Sequence, residues 1–257
     1  MDDMVKIAAL VTVRNSSTRL PGKAIEYVTA EKRSVEIVIE RAKLTGYEVI
    51  VCTSTDSSDD VFEGIATANQ VNIYRGNLLN KLTRWYDCIN SNKLDYVLLV
   101  DGDDLLYDHN IAHRAINQLI NSGLEMVSHP NDIICGFFTY ALSRSGAFKL
   151  FNASKGYPDT DVITEFINMS GIMINDINLY DWERNKKIRL TLDYPEDLEM
   201  FRKFFQHNDY QVNGKKVVKF FEKHPKIAEI NYFRQNEFLI NQQNFNHRIH
   251  NDSLNKI

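Results

Sequence analysis

Residues 11–23 read V-T-V-R-N-S-S-T-R-L-P-G-K and follow an apolar run, residues 7–10, that is typical of a short buried strand. The segment interleaves three cations with three hydroxyls: Arg14, Arg19 and Lys23 with Ser16, Ser17 and Thr18. One guanidinium group can bind two phosphate oxygens at once. Hydroxyls, main-chain N–H groups and a lysine can add further contacts to the phosphates. We therefore predict that this loop binds a polyphosphate; the alternative is a solvated basic loop.

Strands alternate with helices through the first half of the chain. The predicted strands are residues 7–10, 48–52, 71–74 and 96–100, and the predicted helices are residues 34–44, 59–70, 78–90 and 110–122. This alternation predicts an α/β fold with an open, mostly parallel sheet and helices on both faces. Residues 96–100, Y-V-L-L-V, are apolar throughout, which places that strand near the centre of the sheet.

Three polar loops leave the carboxyl ends of these strands. They are residues 14–23, 53–58 and 101–104. Ligands of open parallel sheets bind beyond this edge, so we expect the three loops to form one shared site.

Two aspartates are the candidate metal ligands. Asp103 follows the predicted central strand, and Asp193 lies between a predicted strand and a helix that begins near Pro195. Mg²⁺ prefers carboxylate oxygens, so cations on one side and these carboxylates on the other predict a site for a metal–triphosphate complex. We assign Asp56, Asp104 and Asp197 to caps and turns, a commoner role for an aspartate in this position.

The second half of the chain is less regular. Its predicted strands are residues 126–128, 137–142, 172–177 and 188–192, and its predicted helices are residues 143–153, 159–168, 195–206, 217–223 and 232–240. We predict one domain over residues 1–240, followed by a polar tail, residues 241–257, that is rich in Asn and Gln and loosely held.

Composition excludes several classes of protein. The 257 residues are 44% hydrophobic and 25% charged, and the net charge of −4 argues against a nucleic-acid-binding protein. The cysteines Cys52, Cys88 and Cys135 are few and widely spaced, as is typical of reduced cytosolic thiols. The first six residues are acidic where a signal peptide is basic, and no apolar run approaches the ~20 residues of a membrane helix. We expect a cytoplasmic protein without membrane insertion.

Five segments, in order along the chain, match the motifs of one known family. They are R-N-S-S-T-R-L-P-G-K at residues 14–23, Y-R-G at 74–76, G-D at 102–103, R-L-T-L-D-Y-P-E-D-L at 189–198 and I-A-E-I-N-Y-F-R-Q at 227–235. The set resembles the acidic-sugar cytidylyltransferases, which include the Kdo and N-acylneuraminate CMP-transferases, and is most similar to their spore-coat polysaccharide synthesis branch.

The resemblance implies a Rossmann-like nucleotidyltransferase fold, usually dimeric, that transfers CMP from CTP to a sugar hydroxyl and releases pyrophosphate. The implied site residues fall into three groups. Arg14, Ser17, Thr18, Arg19 and Lys23 would hold the triphosphate, Thr53 and Ser54 would lie near the cytosine, and Asp103 and Asp193 would bind Mg²⁺. The implied product is a CMP-sugar for surface polysaccharide or glycan.

The sequence departs from the family pattern in three places. Asn15 and Ser16 replace a bulky residue followed by Ala or Gly, and Leu105 replaces a proline in G-D-x-P-L. Residues 159–161, D-T-D, stand where the spore-coat branch has R-E-H. Carboxylates there disfavour an acidic acceptor, so neutral, amino-substituted and phosphonate acceptors stay open.

Two other functions fit parts of the sequence. Asp101-Gly102-Asp103 is also the D-x-D metal motif of glycosyltransferases of the GT-A type, which have a similar fold. A catalytically inactive nucleotide-binding relative is the second alternative, because of the departures at Leu105 and Asp159.

Overall fold

The computed structural model describes residues 5–184 and 187–254, with side chains to residue 251. Its strands are β1 (Ile7–Thr12), β2 (Glu48–Ser54), β3 (Asn72–Gly76), β4 (Tyr96–Asp101), β5 (Met126–Ser128), β6 (Tyr140–Ser143) and β7 (Ile174–Asp176). Its helices are α1 (Ser34–Lys43), α2 (Val61–Ala68), α3 (Lys81–Ser91), α4 (His109–Ser122), α5 (Arg144–Ala153), α6 (Thr164–Ser170), α7 (Pro195–Phe205), α8 (Gly214–Lys223), α9 (Pro225–Tyr232) and α10 (Arg234–Leu254).

The seven described strands form one sheet in the order β3-β2-β1-β4-β6-β5-β7. Within this part of the chain β6 alone runs antiparallel to its neighbours, and β4 is the central strand. The predicted α/β class, the mostly parallel sheet and the central position of residues 96–100 are confirmed.

Helices cover both faces of the sheet. Successive residues of a strand point to opposite faces, so each strand contributes to both cores. Ala9 and Val11 of β1 pack in a core with residues from α1, α2, α4, α7 and α8. Ala8 and Leu10 pack in a second core with residues from α3, α5 and α6. Apolar residues at consecutive positions therefore face two different helical layers, as a buried parallel strand requires.

The carboxyl ends of the first strands meet at one edge. The register pairs Thr12 at the end of β1 with Cys52 of β2 and with Asp101 at the end of β4. The polar loops after these strands leave from that edge, as the sequence predicted.

The second half departs from the prediction in several places. The helix α9 (Pro225–Tyr232) was not predicted, and the helix predicted over residues 159–168 begins only at Thr164. Residues 188–192 are not a strand: only Arg189 forms an isolated bridge, with Cys135. The segment from residue 241, expected to be loosely held, continues α10 as far as Leu254, and residues 255–257 lie outside the described part. Ile249 of α10 is buried in the second core, and Phe245 packs against it.

The division into one domain over residues 1–240 and a tail over residues 241–257 stays a prediction. In the described part of the chain, none of the helices has the length and apolar character needed to span a bilayer.

The docking of α10 can be tested by comparing two of its isoleucines. Ile249 is 3% exposed and Ile240 is 46% exposed. Truncating a buried isoleucine to alanine typically costs about 2 to 5 kcal/mol, so we expect Ile249→Ala to lower the free energy of unfolding by about 2 kcal/mol. The control Ile240→Ala is expected to change it by less than about 0.5 kcal/mol. Urea denaturation measures both, and equal effects would show that α10 is not docked in solution.

Candidate active site

The ammonium group of Lys23 lies between two carboxylates from distant segments. Its Nζ donates to Asp103 Oδ2 at 2.5 Å and to Asp193 Oδ1 at 2.9 Å. Arg19 donates to the same Asp193 oxygen at 2.6 Å. The structure therefore brings together two predicted residues of the basic loop and both candidate metal ligands. We call these four residues the Lys23 cluster: Arg19, Lys23, Asp103 and Asp193.

A close backbone contact places Asp103 at this point. The N–H of Gly102 donates to the carbonyl of Thr12 at 2.8 Å, and a Cβ on Gly102 would lie 2.8 Å from the same carbonyl oxygen. Only glycine lets the loop after β4 pass this close to the end of β1. The loop is thereby held beside the start of the basic segment.

Asp193 reaches the site by a different route. The N–H of Leu192 donates to the carbonyl of Asp103 at 2.9 Å, and the N–H of Leu190 donates to the carbonyl of Cys135 at 2.8 Å. Alternate N–H groups of this segment thus bond to two separate loops, which explains why it is buried and yet forms no strand ladder. Pro195 then begins α7.

Burial and charge together set the ionisation of the central pair. Burial alone would lower the pKa of Lys23, but Asp103 and Asp193 outweigh it and raise the pKa above its ordinary value. Burial alone would raise the pKa of Asp193, but Lys23, Arg19 and Arg189 outweigh it and lower the pKa to about 2. Both groups are therefore charged at neutral pH.

The two aspartates beside Asp103 are in a different electrostatic state. Oxygens of Asp101, Asp103 and Asp104 all lie within 4.8 Å of one another. Burial, with Asp103 and Asp161 nearby, raises the pKa of Asp101 to about 6, although Lys81 opposes the shift. Burial also raises the pKa of Asp104 well above its ordinary value. Burial, reinforced by repulsion from neighbouring carboxylates, thus makes Asp101 and Asp104 easier to protonate, while Asp193 stays ionised.

Arg14 has hydrogen-bond partners different from those of Arg19 and Lys23. Its guanidinium donates to the carbonyl of Leu78 at 2.9 Å and to Asp161 Oδ1 at 3.0 Å. Lys81 donates from Nζ to the main-chain oxygen of Asp161 at 2.6 Å. Asp161, one of the residues that depart from the family pattern, therefore contacts Arg14 of the basic loop.

The four predicted site residues with hydroxyl groups differ in their surroundings. Ser17 accepts from the N–H of Leu20 within the loop at 3.4 Å, and Thr18 is exposed. Ser54 donates to Asp59 Oδ2 at 2.5 Å, whereas the Thr53 hydroxyl is buried without a hydrogen-bond partner among the described residues. Ser54 and Thr53 thus lie at the end of β2 but not in the Lys23 cluster.

Asp59 was missed as a site residue because it fell inside a predicted helix. It is fully buried, and its Oδ1 accepts from the N–H of Asn15 at 2.7 Å. Through this bond and the one to Ser54, Asp59 ties the basic loop to the loop after β2. Asp56 is a cap as predicted, since it accepts from the N–H of Ser58.

Asp197 has more than the capping role that the sequence suggested. Its Oδ2 accepts from the N–H groups of Asp193 and Tyr194 at the start of α7, as a cap does. Its Oδ1 also accepts from Arg189 Nε at 3.0 Å, in an ion pair whose two side chains are both fully buried. The spacing R-x-x-x-D-x-x-x-D in the sequence was the signal for this network.

A family model described as Cytidylyltransferase matches residues 8–223. The chain belongs to the cytidylyltransferase family. The predicted enzyme class is thereby confirmed, and the residues of the Lys23 cluster all fall inside the matched region.

Two solved structures share the fold of this cytidylyltransferase. A cytidylyltransferase from Leptospira borgpetersenii has a TM-score of 0.79 at 24% identity, covering 87% of this chain and 97% of that one. A CMP:2-keto-3-deoxy-manno-octonic acid synthetase solved with CTP has a TM-score of 0.61 at 16% identity, covering 78% and 98%. In sequence, an uncharacterized protein of Methanocaldococcus jannaschii is 23% identical over 232 residues, covering 88% of this chain and 95% of its own length.

The buried ion pair of Asp197 can be compared with an exposed one. Removing one partner of a buried pair typically costs about 3 to 5 kcal/mol, so we expect Asp197→Ala to lower the free energy of unfolding by that amount. The control is Asp60→Ala, whose carboxylate is 62% exposed and pairs with Arg75 at 2.6 Å. An exposed pair contributes at most about 1 kcal/mol. Urea unfolding curves report both values, and similar losses would contradict the assigned role of Asp197.

Proposed function

We propose that this cytidylyltransferase transfers CMP from CTP to a hydroxyl of a sugar, releasing pyrophosphate. One observation carries the proposal: the Lys23 ammonium, with Arg19 beside it, meets Asp103 and Asp193 at one point. Cations that can hold a triphosphate and carboxylates that can hold a divalent cation are therefore adjacent. The family match supports the cytidylyl group as the one transferred.

The carboxylates fit a divalent cation. Asp103 and Asp193 already converge on a single cationic group, Lys23 Nζ, at 2.5 and 2.9 Å. Two carboxylates with room for water and phosphate oxygens are a ligand set typical of Mg²⁺. We propose that these two aspartates hold Mg²⁺. When bound there, the ion would supply positive charge to the triphosphate and lower the pKa of the acceptor hydroxyl.

The basic loop would orient the nucleotide. Arg14, Arg19 and Lys23 present charged donors to phosphate oxygens, and Ser17 and Thr18 add hydroxyls. Attack of a hydroxyl on the α-phosphate requires in-line positioning and charge stabilisation more than a covalent nucleophile. These five loop side chains would supply that positioning.

We place the cytosine near the loop after β2. Thr53 and Ser54 lie at the carboxyl end of β2, and Asp59 ties this loop to the basic loop. The synthetase solved with CTP shares the fold, and its bound nucleotide supports CTP as the donor here.

The acceptor is proposed to be a modified or acidic sugar used in surface polysaccharide or glycan, by resemblance to the spore-coat branch. Asp161 limits this choice. Its carboxylate is 59% exposed and contacts Arg14. An acceptor carboxylate beside it would be repelled, which favours a neutral or amino-substituted compound. We also propose a homodimer and a cytoplasmic location, as the resemblance and the cysteine pattern suggest.

A second function is favoured by one observation. The oxygens of Asp101, Asp103 and Asp104 lie within 4.8 Å of one another, as a D-x-D metal site of a GT-A-type glycosyltransferase would require. That reading gives Arg19 and Lys23 no common task, because a diphosphate sugar needs fewer cations than a triphosphate.

The proposed reaction can be measured by pyrophosphate release. Incubation with CTP, Mg²⁺ and a panel of neutral, amino-substituted, phosphonate and acidic acceptors is expected to release pyrophosphate with at least one of them. ATP, GTP and UTP serve as matched controls and are expected to release less. In parallel, CTP at 100 times its Kd should stabilise the protein by about 2.7 kcal/mol in a thermal-shift assay. A failure of CTP to bind would overturn the proposal.

Lys23→Ala separates the two functions. Hydrogen bonds to charged groups contribute about 1.5 to 3 kcal/mol, so the substitution is expected to raise the Kd for CTP about 10- to 100-fold. Lys32→Ala is the control, because Lys32 pairs with Glu40 at 3.4 Å on the surface. A glycosyltransferase would instead bind a nucleoside diphosphate sugar, and Lys23→Ala would leave that affinity unchanged.

A further inference from the structure

A buried arginine holds Asp193 from the side opposite the cations of the basic loop. Arg189 donates from one terminal nitrogen to Asp193 Oδ2 at 3.0 Å. The other oxygen, Oδ1, accepts from Arg19 at 2.6 Å and from Lys23 at 2.9 Å. The two oxygens of one carboxylate therefore have separate tasks: Oδ2 faces the interior and Oδ1 faces the site.

Arg189 is itself fixed on several sides. Its Nε and terminal nitrogen donate to Asp197, and its other terminal nitrogen donates to Gln235 Oε1 at 3.0 Å. Its guanidinium lies 4.8 Å from the ring centre of Phe238 and 5.6 Å from that of Tyr194. A planar group held this way has one orientation, which it passes to the carboxylate it binds.

The C-terminal helices complete this support. Asn231 of α9 donates from Nδ2 to the carbonyl of Arg189 at 3.0 Å and to Asp197 Oδ1 at 2.8 Å. Gln235 and Phe238 belong to α10. The orientation of Asp193 thus depends on residues that follow the region matched by the family model, which ends at residue 223.

We propose that Arg189 is a positioning residue: its guanidinium, held in a forked contact by Asp197, donates one hydrogen bond to Asp193 Oδ2 and so fixes the rotation of that carboxylate, with Oδ1 pointing at the divalent cation. The proposal rests on the proposed function, since it assumes that Asp193 is a metal ligand. It adds a residue that touches neither nucleotide nor metal and yet sets the geometry of the metal site. Partners of metal ligands that act this way typically change metal affinity about 10- to 100-fold when they are replaced.

Two simpler roles predict different behaviour. If Arg189 only balances negative charge, a lysine at the same position would suffice. If it only stabilises the fold, replacing it would resemble replacing Arg41, another fully buried arginine, which binds the carbonyls of Tyr107, Tyr210 and Val212. Arg41→Lys is therefore the matched control for Arg189→Lys.

The experiment measures binding of Mn²⁺, as a spectroscopic substitute for Mg²⁺, to the full chain with and without CTP. Arg189→Lys keeps the charge and loses the fork, so we expect the Kd for Mn²⁺ to rise about ten-fold. The thermal midpoint is recorded for each variant. Arg41→Lys is expected to lower the midpoint and leave the Kd unchanged. In turnover, Arg189→Lys should lower kcat while the KM for CTP stays close to its original value.

Gln235→Ala provides a milder variant in case Arg189→Lys does not fold. It removes one partner of Arg189 without touching Asp193, and it should raise the Kd for Mn²⁺ by a smaller factor in the same direction. An unchanged Kd in Arg189→Lys, or in Gln235→Ala if the first variant is unfolded, would overturn the proposal. So would an equal rise in Arg41→Lys.

Failure of the proposed function would look different. A wild-type protein that binds Mn²⁺ but releases no pyrophosphate from CTP would contradict the proposed reaction. The Kd values for Mn²⁺ of Arg189→Lys and Arg41→Lys would still test the positioning role of Arg189. A wild-type protein that binds no Mn²⁺, with or without CTP, would overturn the positioning role as well.

Discussion

The site depends on one ammonium group shared by two carboxylates. Lys23 is 80 residues from Asp103 and 170 residues from Asp193, and its Nζ contacts both. With the side chain of Lys23 only 13% exposed, little water screens the attraction, so these contacts are stronger than a surface pair would be. The basic loop, the end of β4 and the start of α7 are brought to one place by this contact. Each was recognisable in the sequence, but only the fold shows that they share a cation.

Charge balance explains how such a cluster can respond to a ligand. Three cations, Arg19, Lys23 and Arg189, face three carboxylates: those of Asp103, Asp193 and Asp197. A triphosphate that binds Lys23 and Arg19 takes cations away from Asp103 and Asp193. Buried carboxylates that lose their partners are costly, and a divalent cation arriving with the nucleotide would restore the balance. In the proposed function, the same residues would therefore be stable without ligand and complementary to a metal–nucleotide complex.

The sequence predicted the parallel strands of the sheet most accurately. Continuous apolar runs predicted the parallel strands because such strands are buried on both faces. Local pattern was least informative at residues 188–192, whose N–H groups bond to two separate loops, and in α10, whose Asn and Gln content suggested a loose tail. The spacing of Phe238, Phe245 and Ile249 by seven and four residues is a helical signal that composition concealed. Arg189 could be read as part of a motif, but its contact with Gln235 requires the tertiary structure.

The segment that carries Asp161 is built differently from the basic loop. Thr160 is fully buried and its hydroxyl accepts from the N–H of Leu82 in the first turn of α3 at 3.2 Å. This anchor fixes the next residue, Asp161, whose carboxylate stands opposite Arg14. A loop held by a buried side chain presents its neighbour in a defined direction, so the carboxylate is a property of the site and not of a freely moving loop. If phosphate oxygens compete for Arg14 as proposed, the charge of Asp161 would face the acceptor instead. In the proposed function, the cations of the basic loop would hold the triphosphate, and the anion of Asp161 would select against a negatively charged acceptor.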